Sequence, residues 1–304
     1  MSKFKTFTTP RNDIIFKALF ANEKDKQPLM SLLSGILGMP MDNFEDLEIL
    51  NNEMNSENIE FKQSRLDLRI RLKDLTEIDV ELQVLNHQAY KERVLYYWSK
   101  MYSGSLQQGN AYRKLKKCIV INIVYFELFT SPRMHTKFQI LETEEHNKFT
   151  DHLEIHVLEL IKLNAYNRSI ENDLLIDWAE FLRLRNEDDL MKLSERTDLP
   201  LVIQKAIREL EELQNDPNLQ HEALNKEIFV LDMVQRFDDA MERGLAEGLE
   251  KGLEKGLEEG LKQGKEIGKD QTKIEIAKKL KLSGIEPSVI QTTTGLDIEV
   301  INSL

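Results

Sequence analysis

Two carboxylates and an amide occur at alternate positions in a segment where apolar and polar side chains alternate. Residues two apart on a strand project from the same face, so Asp79, Glu81 and Gln83 share one face. A polar turn centred near Leu75 predicts that a preceding strand brings Asp67 opposite Gln83 and diagonal to Glu81. This hairpin would gather oxygen-bearing side chains on one side and an apolar core on the other.

Oxygen donors of this kind suit a hard divalent cation. Mg²⁺ prefers one or two carboxylates together with water and substrate phosphate. Asp67 and Glu81 are therefore candidate ligands, and the backbone carbonyl of Leu82 is a third. A metal there could polarise a phosphodiester and lower the pKa of an attacking water. The same alternation also fits a solvated face on which acidic residues pair with Arg69 and Arg71.

The elements that would position these residues follow from hydrophobic periodicity. Asn12 and Asp13 begin an apolar helix, residues 27–37 form a Leu-rich helix, and the Tyr-rich residues 88–108 form another. The predicted strands cover residues 65–72, 78–84, 118–126, 138–141 and 153–160. The expected fold class is α/β, with a mixed sheet flanked by helices and an all-helical C-terminal region.

A four-residue repeat marks the C-terminal tail. Leucine follows each of the first five repeat glycines, which stand at 244, 248, 252, 256, 260 and 264. Glycine costs roughly 1 kcal/mol per helical site relative to Ala, so close packing against a partner would compensate. We expect a core at 1–165, a helical region packed on it at 166–240, and a tail at 241–304. The tail would mediate homo-oligomerisation or contact DNA.

Composition narrows the function classes. The chain is 41% hydrophobic and 31% charged, which is typical of a soluble globular protein. Its single cysteine, Cys118, cannot form an intramolecular disulfide, which fits a cytoplasmic location. The longest apolar run, 118–126, is far shorter than the roughly 20 residues that span a membrane. The net charge of −12 excludes a uniformly basic surface, although a local cationic face would suffice to bind phosphates.

The segment from Asn12 to Phe20, NDIIFKALF, resembles the N-terminal signature of the recombination-promoting nuclease/transposase family, which is similar to PD-(D/E)XK nucleases. Later pieces follow in the family's order: Leu66-Asp67, Glu81-Leu82-Gln83, Arg93 with Tyr97 and Tyr102, and Gln108-Gly109 with Tyr112. The Gly-repeat tail also looks typical, so the resemblance covers nearly the whole chain. It implies a PD-(D/E)XK-like fold and a DNA endonuclease that depends on Mg²⁺ or Mn²⁺ and is linked to recombination or transposition.

The resemblance assigns roles to particular residues. Asp67 matches the Asp of the motif and Glu81 its Asp/Glu, both as metal ligands. Gln83 stands where the superfamily motif has Lys; it can hydrogen-bond water or phosphate but brings no charge. Asp13 matches an acidic residue that supports the site, although a helix N-terminus would also favour it. Gln108 either joins the site or ends the preceding helix.

A cationic surface is required for phosphate binding, and the candidates lie around the hairpin and the Tyr-rich helix. They are Arg69, Arg71, Arg93, Arg113, Lys114, Lys116 and Lys117. Two rival functions remain open: a catalytically weak DNA-binding module, favoured by Gln83 and the acidic net charge, and an oligomeric interaction protein that acts through its tail. Divalent-metal dependence would oppose the first rival, and truncation before Gly244 tests the second.

Overall fold

The computed structural model describes residues 7–50, 68–86 and 89–304. Its strands are β1 (Glu48–Leu50), β2 (Leu68–Arg71), β3 (Glu77–Gln83), β4 (Cys118–Val124), β5 (His135–Leu141) and β6 (Lys148–Glu159). Its α-helices are α1 (Asp13–Phe20), α2 (Gln27–Leu37), α3 (Tyr90–Gly104), α4 (Ala165–Ile170), α5 (Asp173–Leu182), α6 (Glu187–Ser194), α7 (Leu201–Leu213), α8 (Pro217–Leu282), α9 (Pro287–Thr294) and α10 (Ile298–Ser303). Short 3₁₀ turns cover Met41–Phe44, Tyr112–Lys114 and Leu160–Lys162.

The strands form one mixed sheet in the order β1-β2-β3-β4-β6-β5. Strands β3, β4 and β6 run parallel to one another, whereas β1, β2 and β5 pair antiparallel with their neighbours. Every residue of β4 is buried, as expected for a continuous apolar strand between two parallel neighbours. The expectation of a mixed α/β sheet flanked by helices is confirmed.

Local sequence signals account for the first helices. The Asn12 side chain caps α1 by accepting a hydrogen bond from the backbone nitrogen of Ile14 at 3.0 Å. Helix α2 ends at Gly38, whose left-handed φ of 66° is accessible to glycine without strain. Gly35 allows α2 to approach α5, because an added Cβ would lie 3.3 Å from the backbone of Leu175.

Helices cover the two sides of the sheet unequally. On the core face, defined by Ile78, Val80 and Leu82, a large apolar cluster joins the sheet to α1, α2, α5 and α7. On the opposite surface, here called the α3 face, Val120 and Ile155 belong to a smaller cluster with α3. The parallel register pairs Asp79 with Val120 and Glu81 with Asn122, so the acidic residues of β3 lie on the α3 face.

The β2–β3 hairpin has a different register from the expected one. Placing Asp67 opposite Gln83 would require Leu68 opposite Leu82, but Leu68 pairs with Val80. The reason is a tight turn between Leu72 and Thr76, whose backbone nitrogen and oxygen lie 2.9 Å apart. Leu75 adopts a left-handed φ of 69°, typical of a three-residue hairpin loop. Asp67 itself lies outside the described residues.

The chain divides into two compact units, Met1–Phe229 and Val230–Leu304. The predicted helical break near 215–218 is confirmed, because α7 ends at Leu213 and α8 begins at Pro217. The Gly-Leu repeat lies within the continuous helix α8, and a small cluster of Ala277, Ile290 and Ile301 joins the end of α8 to α9 and α10. The three-part division of the chain stays a prediction. Across the described residues, no helix is long and apolar enough to cross a membrane.

Candidate active site

Strand β3 carries three carboxylates that are buried. Glu77, Asp79 and Glu81 are 4%, 0% and 5% exposed, and their spacing places all three on the α3 face. A solvated acidic face, the simpler reading of the alternating pattern, is therefore wrong for this strand. Burial of a carboxylate carries a large desolvation cost unless partners offset it.

Glu77 has partners that explain its burial. Its Oε2 accepts hydrogen bonds from Arg69 Nε at 3.2 Å and Nη2 at 2.5 Å, and its Oε1 accepts one from Arg71 Nη2 at 3.1 Å. Arg71 also approaches Glu48 at 3.6 Å. Pairing of the two arginines with an acidic residue is thus found, but at Glu77. A DNA phosphate would have to compete with Glu77 for these two arginines. Their predicted contact with DNA stays a prediction.

Glu81 lies among amides. The Nε2 of Gln83 donates to Glu81 Oε2 at 3.2 Å, which brings together two residues predicted to act in catalysis. Asn122, the partner of Glu81 in the β3–β4 register, accepts from Tyr90 Oη at 2.9 Å and donates to the His156 carbonyl at 3.3 Å. This polar set (Glu81, Gln83, Asn122 and Tyr90) lies toward the carboxyl ends of the two parallel strands.

Tyr90 and Asn122 were not singled out as site residues from the sequence. Asn122 did carry a signal, because it is the one polar residue in the apolar strand β4 and is fully buried. A buried amide needs hydrogen-bond partners, which Tyr90 and the His156 carbonyl supply. Tyr90 had no comparable signal, since it is one tyrosine of several at the start of α3.

The remaining predicted site residues are Asp13, Gln108, Leu82 and Asp67. Asp13 is the first residue of α1, and its Oδ2 forms an ion pair with Lys226 of α8 at 2.8 Å. Gln108 is exposed in the segment that follows α3. Leu82 buries its side chain on the core face, and its backbone belongs to β3. Asp67 lies outside the described residues, so the pair that it was predicted to form with Glu81 stays a prediction.

The predicted phosphate contacts differ in accessibility. Arg113 and Lys114 are exposed, and Lys114 donates to Asn110 Oδ1 at 2.9 Å. Arg93 stacks over the Tyr90 ring, with its Cζ 5.2 Å from the ring centroid. Lys117 forms an ion pair with Glu154 at 3.0 Å. Lys116 is half-buried. Arg113 and Lys114 are therefore the members best exposed to a ligand.

A second titratable cluster centres on Glu154. Burial opposes its charged form, but hydrogen bonds from His156, Lys137 and Lys117 outweigh that cost and lower the pKa of Glu154. The oxygen–nitrogen distances are 2.9, 2.8 and 3.0 Å. His156 is 1% exposed, and burial lowers its pKa although Glu154 opposes the shift. His156 Nδ1 also lies 2.8 Å from His135 Nε2.

The donor types on the α3 face fit a hard divalent cation. The side chains of Glu81 and Gln83 are adjacent, and carboxylate and amide oxygens are ligands that Mg²⁺ prefers. Within residues 7–50, 68–86 and 89–304, no group of three or more His, Cys, Asp or Glu side chains is arranged to hold a metal ion. The predicted metal site takes one of its two carboxylates from Asp67, outside that range.

Comparison with protein families assigns the chain to a family. The sequence model of the PD-(D/E)XK nuclease family transposases matches residues 10–240. The chain belongs to this family, as its residue pattern predicted. Searches of curated proteins and of solved structures gave no match. Family membership supports a nuclease-type function with DNA as the substrate.

Proposed function

We propose that this protein is a metal-dependent DNA endonuclease that acts in the cytoplasm in recombination or in the transposition of mobile elements. The observation that carries the proposal is the buried Glu81 carboxylate, which accepts a hydrogen bond from Gln83 at 3.2 Å on the α3 face. Glu81 and Gln83 offer carboxylate and amide oxygens, which a hard divalent cation prefers as ligands together with a substrate phosphate.

Asp67 and Glu81 would hold the metal, with the Leu82 carbonyl as a further oxygen ligand. Two neighbours in the sequence support this choice: Asp67 directly precedes Leu68, and Leu68 pairs with Val80, the residue before Glu81. The cation, Mg²⁺ or Mn²⁺, would polarise the phosphodiester and lower the pKa of the attacking water.

The residues of this chain would bind and orient the reactants. Hydrolysis joins the water oxygen to phosphorus and breaks one phosphorus–oxygen ester bond. The Gln83 amide, next to Glu81, can donate a hydrogen bond to a phosphate oxygen or accept one from the water. It carries no charge, so it stabilises developing negative charge less than the lysine of the superfamily motif would. Asp13 would support the site from the start of α1.

DNA would reach the site along exposed cations. Arg113 and Lys114 precede β4 and are exposed, and Lys116 and Arg93 are half-buried. Phosphate contacts position a duplex without reading its sequence. Arg69, Arg71 and Lys117 would contribute only where a phosphate competes with their carboxylate partners.

Self-association through the tail is the second part of the proposal. Leu245, Leu249, Leu253, Leu257 and Leu261 are 57–75% exposed on α8, and each follows a glycine. Contact with a second copy of α8 would bury these side chains, and the glycines would let two helix backbones approach closely. We therefore expect a homo-oligomer in which the Val230–Leu304 unit joins the copies.

A supercoiled-plasmid assay tests the catalytic proposal. The wild type is expected to nick or linearise the plasmid with Mg²⁺ or Mn²⁺ and to be inactive with EDTA. Asp67→Ala and Glu81→Ala should both abolish cleavage, whereas Asp188→Ala, which removes an exposed carboxylate on α6, should not. Calorimetric titration with Mn²⁺ gives a readout apart from activity, since both site variants should also lose metal binding.

The rival function is a DNA-binding protein that does not cut, and the neutral Gln83 is the observation in its favour. It predicts an inert wild type under every divalent metal together with retained binding of a labelled duplex. Equal cutting by the wild type and by Glu81→Ala would also remove the catalytic role proposed for Glu81.

A further inference from the structure

A cavity of about 610 Å³ beside the end of α5 and the start of α6 is rich in cationic side chains. Its charged lining comprises Arg168, Arg183, Arg185, Lys192 and Arg196 against the carboxylates of Glu180 and Asp189. Such an excess of positive charge is notable in a chain whose net charge is −12. A local cationic concavity of this kind concentrates anions.

Two of these arginines have structural partners. Arg196 pairs with Glu180 at 2.5 Å and with Asp177 at 3.0 Å, and Arg168 pairs with the other oxygen of Glu180. These contacts tie α4, α5 and the segment after α6 together. The charges of Arg196 and Arg168 are therefore matched by carboxylates that these residues bind within the fold.

The remaining cations are not explained in this way. Over the part of the chain that the structure describes, no carboxylate forms an ion pair with Arg183, Arg185 or Lys192. Arg183 donates to the Leu163 carbonyl at 3.1 Å and lies at the C-terminal end of α5, where the helix dipole favours a cation. Arg185 and Lys192 are exposed.

Arg11 adds a further cation next to this group. Its Cζ lies 4.5 Å from the centroid of the Tyr125 ring, and its buried Nε has no hydrogen-bond partner among the described residues. Burial lowers the pKa of Arg11, and repulsion from Arg185 and Arg183 lowers it further, although Tyr125 acts in the opposite direction. The three guanidinium groups are thus close enough to repel one another, and an anion between them would relieve that repulsion.

Tyr125 connects these cations to the candidate active site. Its backbone nitrogen donates to the Gln83 carbonyl at 3.1 Å, immediately after strands β3 and β4 end. Its hydroxyl donates to the Leu182 carbonyl at 2.7 Å, and Arg183 is the next residue. The cations therefore lie near the carboxyl ends of β3 and β4, on the side of the sheet that α5 covers, whereas Glu81 and Gln83 project from the α3 face.

We propose that Arg11, Arg183, Arg185 and Lys192, here called the arginine cluster, bind backbone phosphates of duplex DNA that passes the carboxyl ends of β3 and β4. The proposal rests on the proposed function in taking DNA as the substrate. Three of the four residues are arginines, whose planar guanidinium groups bind phosphate oxygens in pairs. None of the four was among the residues predicted from the sequence to contact DNA. A phosphate held there would fix the position of the duplex relative to Glu81.

Binding of a fluorescein-labelled duplex, measured by anisotropy in EDTA over a salt series, tests the arginine cluster without cleavage. The test variant is Arg185→Gln/Lys192→Gln, which removes two exposed cations. The matched control is Arg208→Gln/Lys148→Gln, which removes two exposed cations from α7 and β6. Loss of two phosphate contacts should make the slope of log affinity against log salt shallower by about two. Affinity should fall about tenfold per contact at about 0.1 M salt.

A conservative variant guards against a purely structural effect. Arg185→Lys keeps the charge and should retain most of the salt slope, and circular dichroism should show each variant to be folded. Equal slopes and affinities for the test and control variants would overturn the proposal, as would a wild type that does not bind the duplex.

The outcomes separate this proposal from the catalytic one. A test variant with a reduced slope, in a protein that never cleaves plasmid, would leave the arginine cluster standing and remove the endonuclease. Cleavage that depends on Glu81, with an unchanged slope in the test variant, would do the reverse.

Discussion

The two compact units of this chain place charged and apolar side chains in opposite ways. In the Met1–Phe229 unit, the carboxylates of Asp79 and Glu81 are 0% and 5% exposed. In the Val230–Leu304 unit, Leu249 and Leu253 are 75% and 67% exposed. A buried charge requires compensation within its own unit or from a ligand. A row of exposed leucines is a candidate surface for contact with a partner.

This difference between the two units follows from the period with which apolar residues recur in β3 and in α8. Alternation with period two sets the carboxylates of β3 on one face and its apolar residues on the core face. A four-residue period on a helix of 3.6 residues per turn advances by about 40° per step. The leucines of α8 therefore wind round the helix, and the described contacts leave them at the surface. The first unit is expected to perform chemistry, and the second is expected to bring copies together.

The largest effect is expected from two matched substitutions on β3. Glu81→Gln should reduce plasmid cleavage by at least about a hundredfold, because changes around a metal site commonly cost that much. Glu77→Gln removes the same charge from the same face of β3, nearer the start of the strand. It should retain metal-dependent cleavage under conditions where the protein is folded. Initial rates of plasmid nicking measure both. Equal losses of cleavage rate in the two variants would mean that activity needs the buried carboxylates of β3 alike, and would contradict a specific role for Glu81.

Glu77→Gln is expected to show its effect in stability. The Glu77 side chain is 5% exposed and binds Arg69 and Arg71, so its removal leaves two guanidinium groups without their shared carboxylate. Breaking a buried pair on one side costs about 3 kcal/mol. Urea unfolding of the wild type, Glu77→Gln and Glu77→Asp gives the free energy of unfolding. A loss for Glu77→Gln no greater than that of an exposed control, Glu92→Gln, would contradict a structural role for this ion-pair set.

Removal of the tail tests the second unit. A chain that ends before Gly244 should keep the cleavage rate per chain but should be monomeric, because it lacks the exposed Gly-Leu repeat. Light scattering over a concentration series gives the mass. A full-length chain that is monomeric at high concentration would remove the homo-oligomer from the proposal, and loss of all DNA cleavage on truncation would favour the interaction-protein function.

The smallest effect is expected from pH and concerns the cluster around Glu154. The folded-state pKa of His156 is lowered from 6.5, so the unfolded chain binds its proton more readily, and stability should fall as pH drops below 6.5. The folded-state pKa of Glu154 is lowered from 4.5, so its stabilising contribution is present above that pH and is lost on further acidification. Both effects have the same sign.

Denaturant titrations at about pH 7.5 and about pH 5.5 measure the His156 part of this effect. The wild type should lose more stability between the two pH values than His156→Gln does, because the variant has no imidazole to protonate. His135 and Lys137 both face His156 and disfavour its protonation, so Lys137→Gln should reduce the pH dependence without abolishing it.

Much of the first unit could be predicted because its signals are local. The cap at Asn12, the left-handed Gly38 and the alternation in β3 each act within a few residues, and each of these elements is confirmed. The predicted hairpin register was wrong because the register depends on the backbone conformation of Leu75 in the loop. The pattern of apolar and charged residues does not predict that conformation. A shift of two residues preserved the face of each side chain but changed which residues are opposed.

The sequence by itself determined the α/β class, the family, the acidic face of β3 and the helical tail, since each depends on order and period along the chain. Only the tertiary structure decided that Glu77 binds Arg69 and Arg71, that Tyr90 reaches Asn122, and that Glu81 is buried. It also brought together Arg11, Tyr125 and Arg183, which lie far apart in the chain. Such groupings depend on how distant segments pack, and periodicity carries no information about distance between elements.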